Sequence, residues 1–391
     1  MAMRLTINRN YRKASHFNTT HTRRQAFYAL PSAQWELLAS PPFSFLDTLL
    51  AIDDYIDSNA DIAEAILSAG LPAFGLSCFG PPANDGFNDG KPAWQIKPSA
   101  NDVQKAHSTI RQFYRDWSAE GAIEREACYD PVIKALETEY ESIPVADRGT
   151  IRVLVPGAGL GRSVFEIVRA GFGAEGNEIS YHQLLASSWI LNYLQPKQQF
   201  PLYPWVSSFA NHVSREHQLQ KVMIPDVHPG ATLEAASADS KIHAFERLSM
   251  SAADFCVAYK EEQNKNAFDA VATIFFIDTA PNVIAYIETV HHCLKPGGIW
   301  INMGPLLWHF EDQAGKRNDT LQSPQGNSSN LGIGEPGSME LTDEEVTRLI
   351  AHFGFTIERH ETRMASTGYI QNPRSMMESM YRPSFWVARK K

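Results

Sequence analysis

The sequence predicts an α/β fold, a doubly wound sheet carrying an added N-terminal helical region. Three observations lead there. After Thr150, short apolar runs alternate with helical segments for the rest of the chain, as they do when helices cover both faces of a parallel sheet. The first run, "IRVLVPGAGLGR" at 151–162, passes directly into a turn containing Gly157, Gly159 and Gly161. The next run ends at an acid, Glu178, in "GNEIS".

The elements follow in order. In residues 1–100 the stretch "FSFLDTLLAIDDYIDSNADIAEAILSAG" has helical periodicity, and "CFGPPANDGFNDGKPAW" then clusters Gly, Pro, Asn and Asp as a loop does. From Asp102 to Tyr140 the helical pattern returns, with Ile110, Phe113 and Trp117 on one face and a restart after Gly121. The helical region is therefore expected over 1–149 and the sheet domain over 150–391. Within the latter, strands are expected in "IRVLVPG", "GAEGNEIS", "FDAVATIFFID", "GGIWINMGP" and "FWVARK". The intervening helices are "RSVFEIVRAGF", "YHQLLASSWILNYL", "APNVIAYIETVHHCL" and "TDEEVTRLIAHFGF". Two stretches are too long for plain connections: 196–250, expected to be ordered, and the polar, Gly-rich 312–338, expected to be mobile.

With 43% hydrophobic and 20% charged residues, the 391-residue chain has the composition of a globular protein with a sizeable core. A net charge of -9 argues against general nucleic-acid affinity, which needs clustered Lys and Arg. Cys78, Cys128, Cys256 and Cys293 show no zinc-type spacing, so reduced and mostly buried thiols are expected, with no metal site. The first 30 residues are too polar for a signal peptide, and no run of about 18 apolar residues exists to span a bilayer. The expectation is a cytoplasmic protein, with the nucleus a second option.

The glycine turn admits two cofactor readings. A dinucleotide fingerprint places its third glycine where this chain has Arg162, whereas G-x-G-x-G is the spacing of turns that approach S-adenosylmethionine. Glu178, at the end of the next strand, has the chemistry to accept ribose hydroxyls, or it is a surface acid at a strand end. Asp278 in "FFIDTAPN" either meets a substrate N–H or caps the following helix, and residue type alone weighs the two equally. His309, between Trp308 and Phe310, reads by itself as an ordinary structural histidine.

Taken together, "QFYRDWSAEGAIEREACYDPVI", "VLVPGAGLGR", "GNEIS", "FFIDTAPN", "LKPGGIWINMGPLLWHFED" and "SMM" resemble the carnosine N-methyltransferase family over roughly residues 100–391. The resemblance implies a class I methyltransferase, Rossmann-like fold and S-adenosyl-L-methionine as cofactor. The reaction it implies is methylation of an imidazole nitrogen of carnosine. On matching positions it implies Gln112, Arg115, Gly157, Gly159, Gly161, Glu178, Asp254 and Phe255 for the cofactor. For the substrate it implies Phe275, Asp278, His309, Tyr369 and Tyr381, with Asp278 and His309 in catalytic roles. Two positions depart from the family pattern: Ser379 stands where a tyrosine is expected, and Pro281 where the family has histidine.

Three functions stay open at this point. One is an N-methyltransferase for an imidazole-containing small molecule. Another is the same fold acting on a different nitrogen nucleophile, such as a protein histidine. The third is a nicotinamide-dependent oxidoreductase or a non-catalytic binding protein. The expected partner is a small molecule rather than nucleic acid or membrane, with a homodimer as one option for assembly.

Overall fold

A computed structural model describes residues 11–73, 100–193, 196–310 and 339–391. The loop expected within 78–94, Cys78 and the insertion at 312–338 lie outside these residues. Helices of eight residues or more are α1 (Ser32–Ala39), α2 (Phe45–Ala73), α3 (Ala100–Trp117), α4 (Ala122–Glu139), α5 (Arg162–Arg169), α6 (Tyr181–Asn192), α7 (Val283–Cys293) and α8 (Asp343–His352). The strands are β1 (Arg152–Pro156), β2 (Gly173–Glu178), β3 (Phe200–Leu202), β4 (Val222–Ile224), β5 (Leu248–Ala252), β6 (Phe268–Ile274), β7 (Leu294–Gly304), β8 (Phe355–Glu361) and β9 (Ser384–Lys390). Among the described residues no helix is long and apolar enough to cross a membrane.

The chain forms two compact units whose segments interleave. The first comprises Met1–Ala122, Tyr181–Pro229 and Ile370–Ser379; the second comprises Ile123–Ser180, Gly230–Tyr369 and Met380–Lys391.

In the first unit α2 buries Leu49, Ile52 and Ile56 against Val206, the i, i+3, i+7 spacing of a helix with one apolar face. Gly70 lets α6 approach, because a Cβ there would meet Leu185 at 2.3 Å. On α3 the expected face is buried, and Phe113 meets Trp189 of α6 edge-on, with ring centroids 5.7 Å apart. The 196–250 stretch begins in this unit with an antiparallel hairpin, β3 against β4. The segment before α1 is held to α2 by charge. His16 places Nδ1 2.8 Å from Asp53 and Nε2 2.8 Å from Asp57, while Arg24 pairs with Asp53 and Arg12 with Asp57 and Asp61.

The second unit is built on a seven-stranded sheet of order β5-β2-β1-β6-β7-β9-β8. β1 is parallel to both β2 and β6, β2 to β5, and β6 to β7, whereas β9 runs antiparallel between β7 and β8. Strand order therefore reverses between β1 and β6, and in such sheets ligands bind beyond the carboxyl ends of the strands at that point. Around β6 and β7 the core holds Phe268, Val271, Ile287, Trp300, Phe355 and Trp386. Trp300 and Trp386 meet edge-on at 4.9 Å, and truncating a core aromatic of this kind costs about 3–5 kcal/mol. α5 is buried along nearly its whole length, and its one buried cation, Arg162, donates through Nε to Glu166 at 2.7 Å.

All five expected strands are present, though the one expected through Asp278 already ends at Ile274. The hairpin β3/β4, β5 and β8 were not expected; β8 begins at Phe355, the last residue of the segment expected to be helical, and runs on beyond it. Of the expected buried thiols, Cys128 and Cys293 are buried and Cys256 is half-buried, and none of the three is in a disulfide.

Candidate functional site

The site grows from the carboxyl ends of β1 and β2. Gly157, Gly159 and Gly161 have φ of 70°, 57° and 77°, a left-handed region that side chains disfavour. Space adds a second reason at Gly157, where a Cβ would lie 2.5 Å from the Phe276 ring. Arg162, at the third-glycine place of a dinucleotide fingerprint, is committed to Glu166 inside α5.

Two neighbouring residues of β2 hold this turn. Asn177 accepts the Ala158 N–H on its carbonyl at 3.0 Å, and its side-chain Nδ2 donates to the Ala253 carbonyl at 3.0 Å. It thereby ties the glycine turn to the segment carrying Asp254. Glu178 accepts the Gly159 N–H on Oε2 (3.0 Å) and the Ile179 and Ser180 N–H groups on Oε1 (2.9 and 2.8 Å). A carboxylate offers about four acceptor directions, so one remains, on Oε2, for a ligand hydroxyl. Burial pushes the Glu178 pKa up, against the pull of those three amides.

Asp254 caps the short helix Phe255–Ala258 by accepting the Val257 N–H at 3.1 Å. Phe255 is buried edge-on to Phe276 and Tyr286, whose rings stack at 4.9 Å and 17°. Burial raises the Tyr286 pKa; a hydrogen bond with Thr279 opposes the rise, and the charges of Asp254 and Glu178 add to it. A glycine turn without side chains, a strand-end acceptor and this aromatic stack fit a ribose-bearing cofactor without pyrophosphate.

Beyond the end of β6 the chain turns sharply. Phe275 has φ +53°, rare for a bulky residue, and its N–H donates to the Met303 carbonyl at 2.8 Å. Its ring lies 5.2 Å from that of Tyr369 and 5.8 Å from that of Tyr381, the latter edge-on at 84°. Three residues implied for the substrate thus form one aromatic group. Tyr381 is held by a bridge to Thr367, each donating its N–H to the other's carbonyl at 2.9–3.0 Å.

Asp278 lies not on the strand but on the 3-10 turn Ile277–Thr279. The cap of α7 is Asn282, which accepts the Ala285 N–H, so capping does not account for Asp278. Asp278 is 3% exposed, and its Oδ2 accepts the Leu307 N–H at 3.0 Å. Among the described residues no cation lies within ion-pair distance of it. Burial raises its pKa; the Leu307 N–H and the charge of His309 oppose the rise. His309 is exposed, and its backbone N–H donates to the Asp278 carbonyl at 3.0 Å.

The remaining expected residues lie in the first unit. Gln112 is buried and accepts a hydrogen bond from Gln183 at 2.8 Å; Arg115 is buried beside Asp116, 3.8 Å away. Ser379 is exposed, and its N–H donates to Gln371 Oε1. Sequence reasoning missed Asn177, Phe276, Tyr286 and Leu307. Of these only Asn177, inside "GNEIS", adjoined a recognised signal; the others act through backbone or through rings that read as core.

The carnosine N-methyltransferase family profile matches residues 92–391. Carnosine N-methyltransferase of Schizosaccharomyces pombe is 36% identical over 381 residues, 97% of this chain and 92% of that protein. The Mus musculus protein of the same name is 36% identical over 98% of this chain and 84% of its own length. A Drosophila melanogaster relative, carnosine N-methyltransferase unmet, is 40% identical over 74% of this chain and 56% of its own. With a glycine turn, strand-end acid and sheet of the kind that binds S-adenosyl-L-methionine, and a profile covering most of its length, this chain belongs to the carnosine N-methyltransferase family of S-adenosyl-L-methionine-dependent enzymes.

Proposed function

We propose that the enzyme methylates an imidazole nitrogen of carnosine or of a related imidazole-containing small molecule. The observation that carries this reading is Asp278. A buried carboxylate without an ion-pair partner is costly, and it is retained where a ligand can use it. Its position beyond β6, three residues after the Phe275 ring, sets an acceptor near an aromatic platform. A neutral imidazole has one N–H donor and one lone pair, so it matches such an acceptor.

Bound S-adenosylmethionine supplies an electrophilic methyl group. A neutral imidazole nitrogen is already a nucleophile, so no strong base is needed. The protein must select the tautomer and stabilise the positive charge growing on the ring. Asp278 accepting the N–H of one ring nitrogen does both and leaves the other lone pair facing outward. Such a charge-assisted bond contributes about 2–4 kcal/mol to the transition state. Leu307, through its N–H, keeps Oδ2 in place. Phe275, Tyr369 and Tyr381 present π faces that favour a cationic ring. His309 completes the polar side or meets the substrate's polar tail.

For the cofactor we assign the backbone of Gly157, Gly159 and Gly161 to its amino-acid portion, Glu178 to its ribose, and Asp254 and Phe255 to its adenine end. On the family pattern alone, Gln112 and Arg115 join this set. Ser379 keeps a hydroxyl but offers little of the apolar area of a tyrosine, which favours imidazole compounds bulkier than carnosine. The test is mass spectrometry of a panel of carnosine, histidine and larger imidazole amides incubated with enzyme and cofactor. Gain of one methyl group on a ring nitrogen supports the reading; methylation of amines alone rejects it.

A further inference from the structure

Phe275 and Phe276 are consecutive, yet their rings serve different neighbours. Phe276 stacks on Tyr286 and sits against Gly157, on the cofactor side; Phe275 meets Tyr369 and Tyr381. The left-handed φ of Phe275 is what parts them. A phenylalanine does not adopt that conformation unless its surroundings impose it. The surroundings here are the last two residues of β7: Met303 accepts the Phe275 N–H, and at Gly304 a Cβ would lie 3.1 Å from the Phe275 nitrogen and 3.2 Å from its Cα.

We propose that Gly304 is a positioning residue for the imidazole substrate: by carrying no side chain it lets the Phe275 backbone press onto the end of β7, which directs the Phe275 ring towards Tyr369 and Tyr381. The proposal rests on the substrate reading above. Both atoms that a Cβ would meet are backbone, so no rotamer change relieves the contact. In Gly304→Ala the Phe275 backbone lifts by a few tenths of an ångström, its hydrogen bond to Met303 weakens, and the ring leaves its place. A misplacement of about 1 Å away from the reacting atoms costs on the order of 100-fold, so a shift of a few tenths of an ångström carries a smaller, measurable effect. Phe276 and the glycine turn are not touched by this contact, so the cofactor side stays as it is.

The experiment compares wild type, Gly304→Ala, Phe275→Gly and the double variant. Phe275→Gly removes the ring while keeping the left-handed backbone without strain. Expected for Gly304→Ala is a KM for carnosine raised about 5–20-fold, with S-adenosylhomocysteine affinity by calorimetry within about twofold of wild type. In the Phe275→Gly background the same substitution should change KM by less than about twofold, because an effect transmitted through a ring vanishes with the ring. Additive effects in the double variant overturn the proposal, and so does a Gly304→Ala protein that no longer binds S-adenosylhomocysteine. Hydrogen exchange of the peptide containing Phe275 separates the two levels of inference. Wild type inactive on every imidazole compound sinks the substrate reading. Exchange equally slow in wild type and Gly304→Ala sinks the positioning role, whatever the substrate is.

Discussion

Replacing Glu178 by alanine tests the coupling of the glycine turn to the cofactor. The carboxylate accepts three backbone N–H groups, but these differ in what they lose. Ile179 is exposed and Ser180 half-buried, so their amides turn to water. Gly159 is buried, and its N–H is left without an acceptor. An orphaned buried donor that had a charged partner costs about 2–3 kcal/mol. Relief of the desolvated carboxylate, whose pKa is raised by burial, returns part of that, leaving about 2 kcal/mol. For a unit of this size the loss corresponds to a melting temperature lower by about 4–8 °C. The ligand loses a ribose acceptor as well as an ordered turn, so S-adenosylhomocysteine binding should weaken about 10–100-fold. Thermal unfolding with and without S-adenosylhomocysteine, together with calorimetry, reads both effects. Glu178→Gln is the control: its amide group brings N–H donors to face N–H donors, so it should resemble alanine rather than wild type. Unchanged melting and unchanged ligand affinity in Glu178→Ala would refute the reasoning.

Asp278→Asn keeps shape and loses charge; kcat should fall at least 100-fold with S-adenosylhomocysteine affinity unchanged, and a fall of under twofold in single-turnover assays would remove Asp278 from the chemistry. On the proposed mechanism the reaction needs Asp278 ionised, and burial raises its pKa in the free enzyme, so kcat/KM reckoned on the neutral imidazole should decline as pH falls through a value above the ordinary carboxylate range. A profile flat down to the ordinary carboxylate pKa of ~3.9 contradicts that. In the first unit, burial alone would lower the His16 pKa, but hydrogen bonds to Asp57 and Asp53 raise it. Its contribution to stability is therefore full below the unfolded value of ~6.5 and lost as pH rises through the raised value. Asp53 and Asp57 are depressed against burial by their basic partners, so their contribution is present above ~3.9 and lost as pH falls through the lowered values. His16→Gln should thus destabilise between those limits and converge with wild type in alkali; equal melting curves at all pH values would show that the network holds nothing.

Much of the sheet was readable because its strands are buried and apolar. The run from Ile151 to Pro156 and the glycines after it announced β1 and its turn, and the segments expected to be helical at 280–294 and 342–355 contain α7 and α8. β5, "LSMSA", escaped notice because it is short, half-exposed and rich in serine, and β8 because its outer residues are charged. The site was legible where side chains carry the signal. Glu178, singled out as a ribose acceptor or a surface acid, is buried and accepts the Gly159 N–H; Phe275, Tyr369 and Tyr381, implied for the substrate, have neighbouring rings; and Asn282, not Asp278, caps α7. What could not be read is carried by backbone. Neither the positive φ of Phe275 nor the N–H that Leu307 offers to Asp278 depends on the identity of the residue supplying it. Nor does periodicity say that 370–379 packs with one unit and 380–391 with the other.

That interleaving bears on how the chain can fold as it is made. Domains ordinarily fold as units in the order in which they leave the ribosome. Here both units draw a segment from the same late stretch, Ile370–Ser379 for one and Met380–Lys391 for the other. Until residues 384–390 have emerged, the edge of β7 that β9 will cover has an open row of N–H and C=O groups, and β8 has no strand to join. Neither unit is complete when synthesis passes residue 370, so a nascent chain of this protein should occupy chaperones until residues 384–390 have emerged.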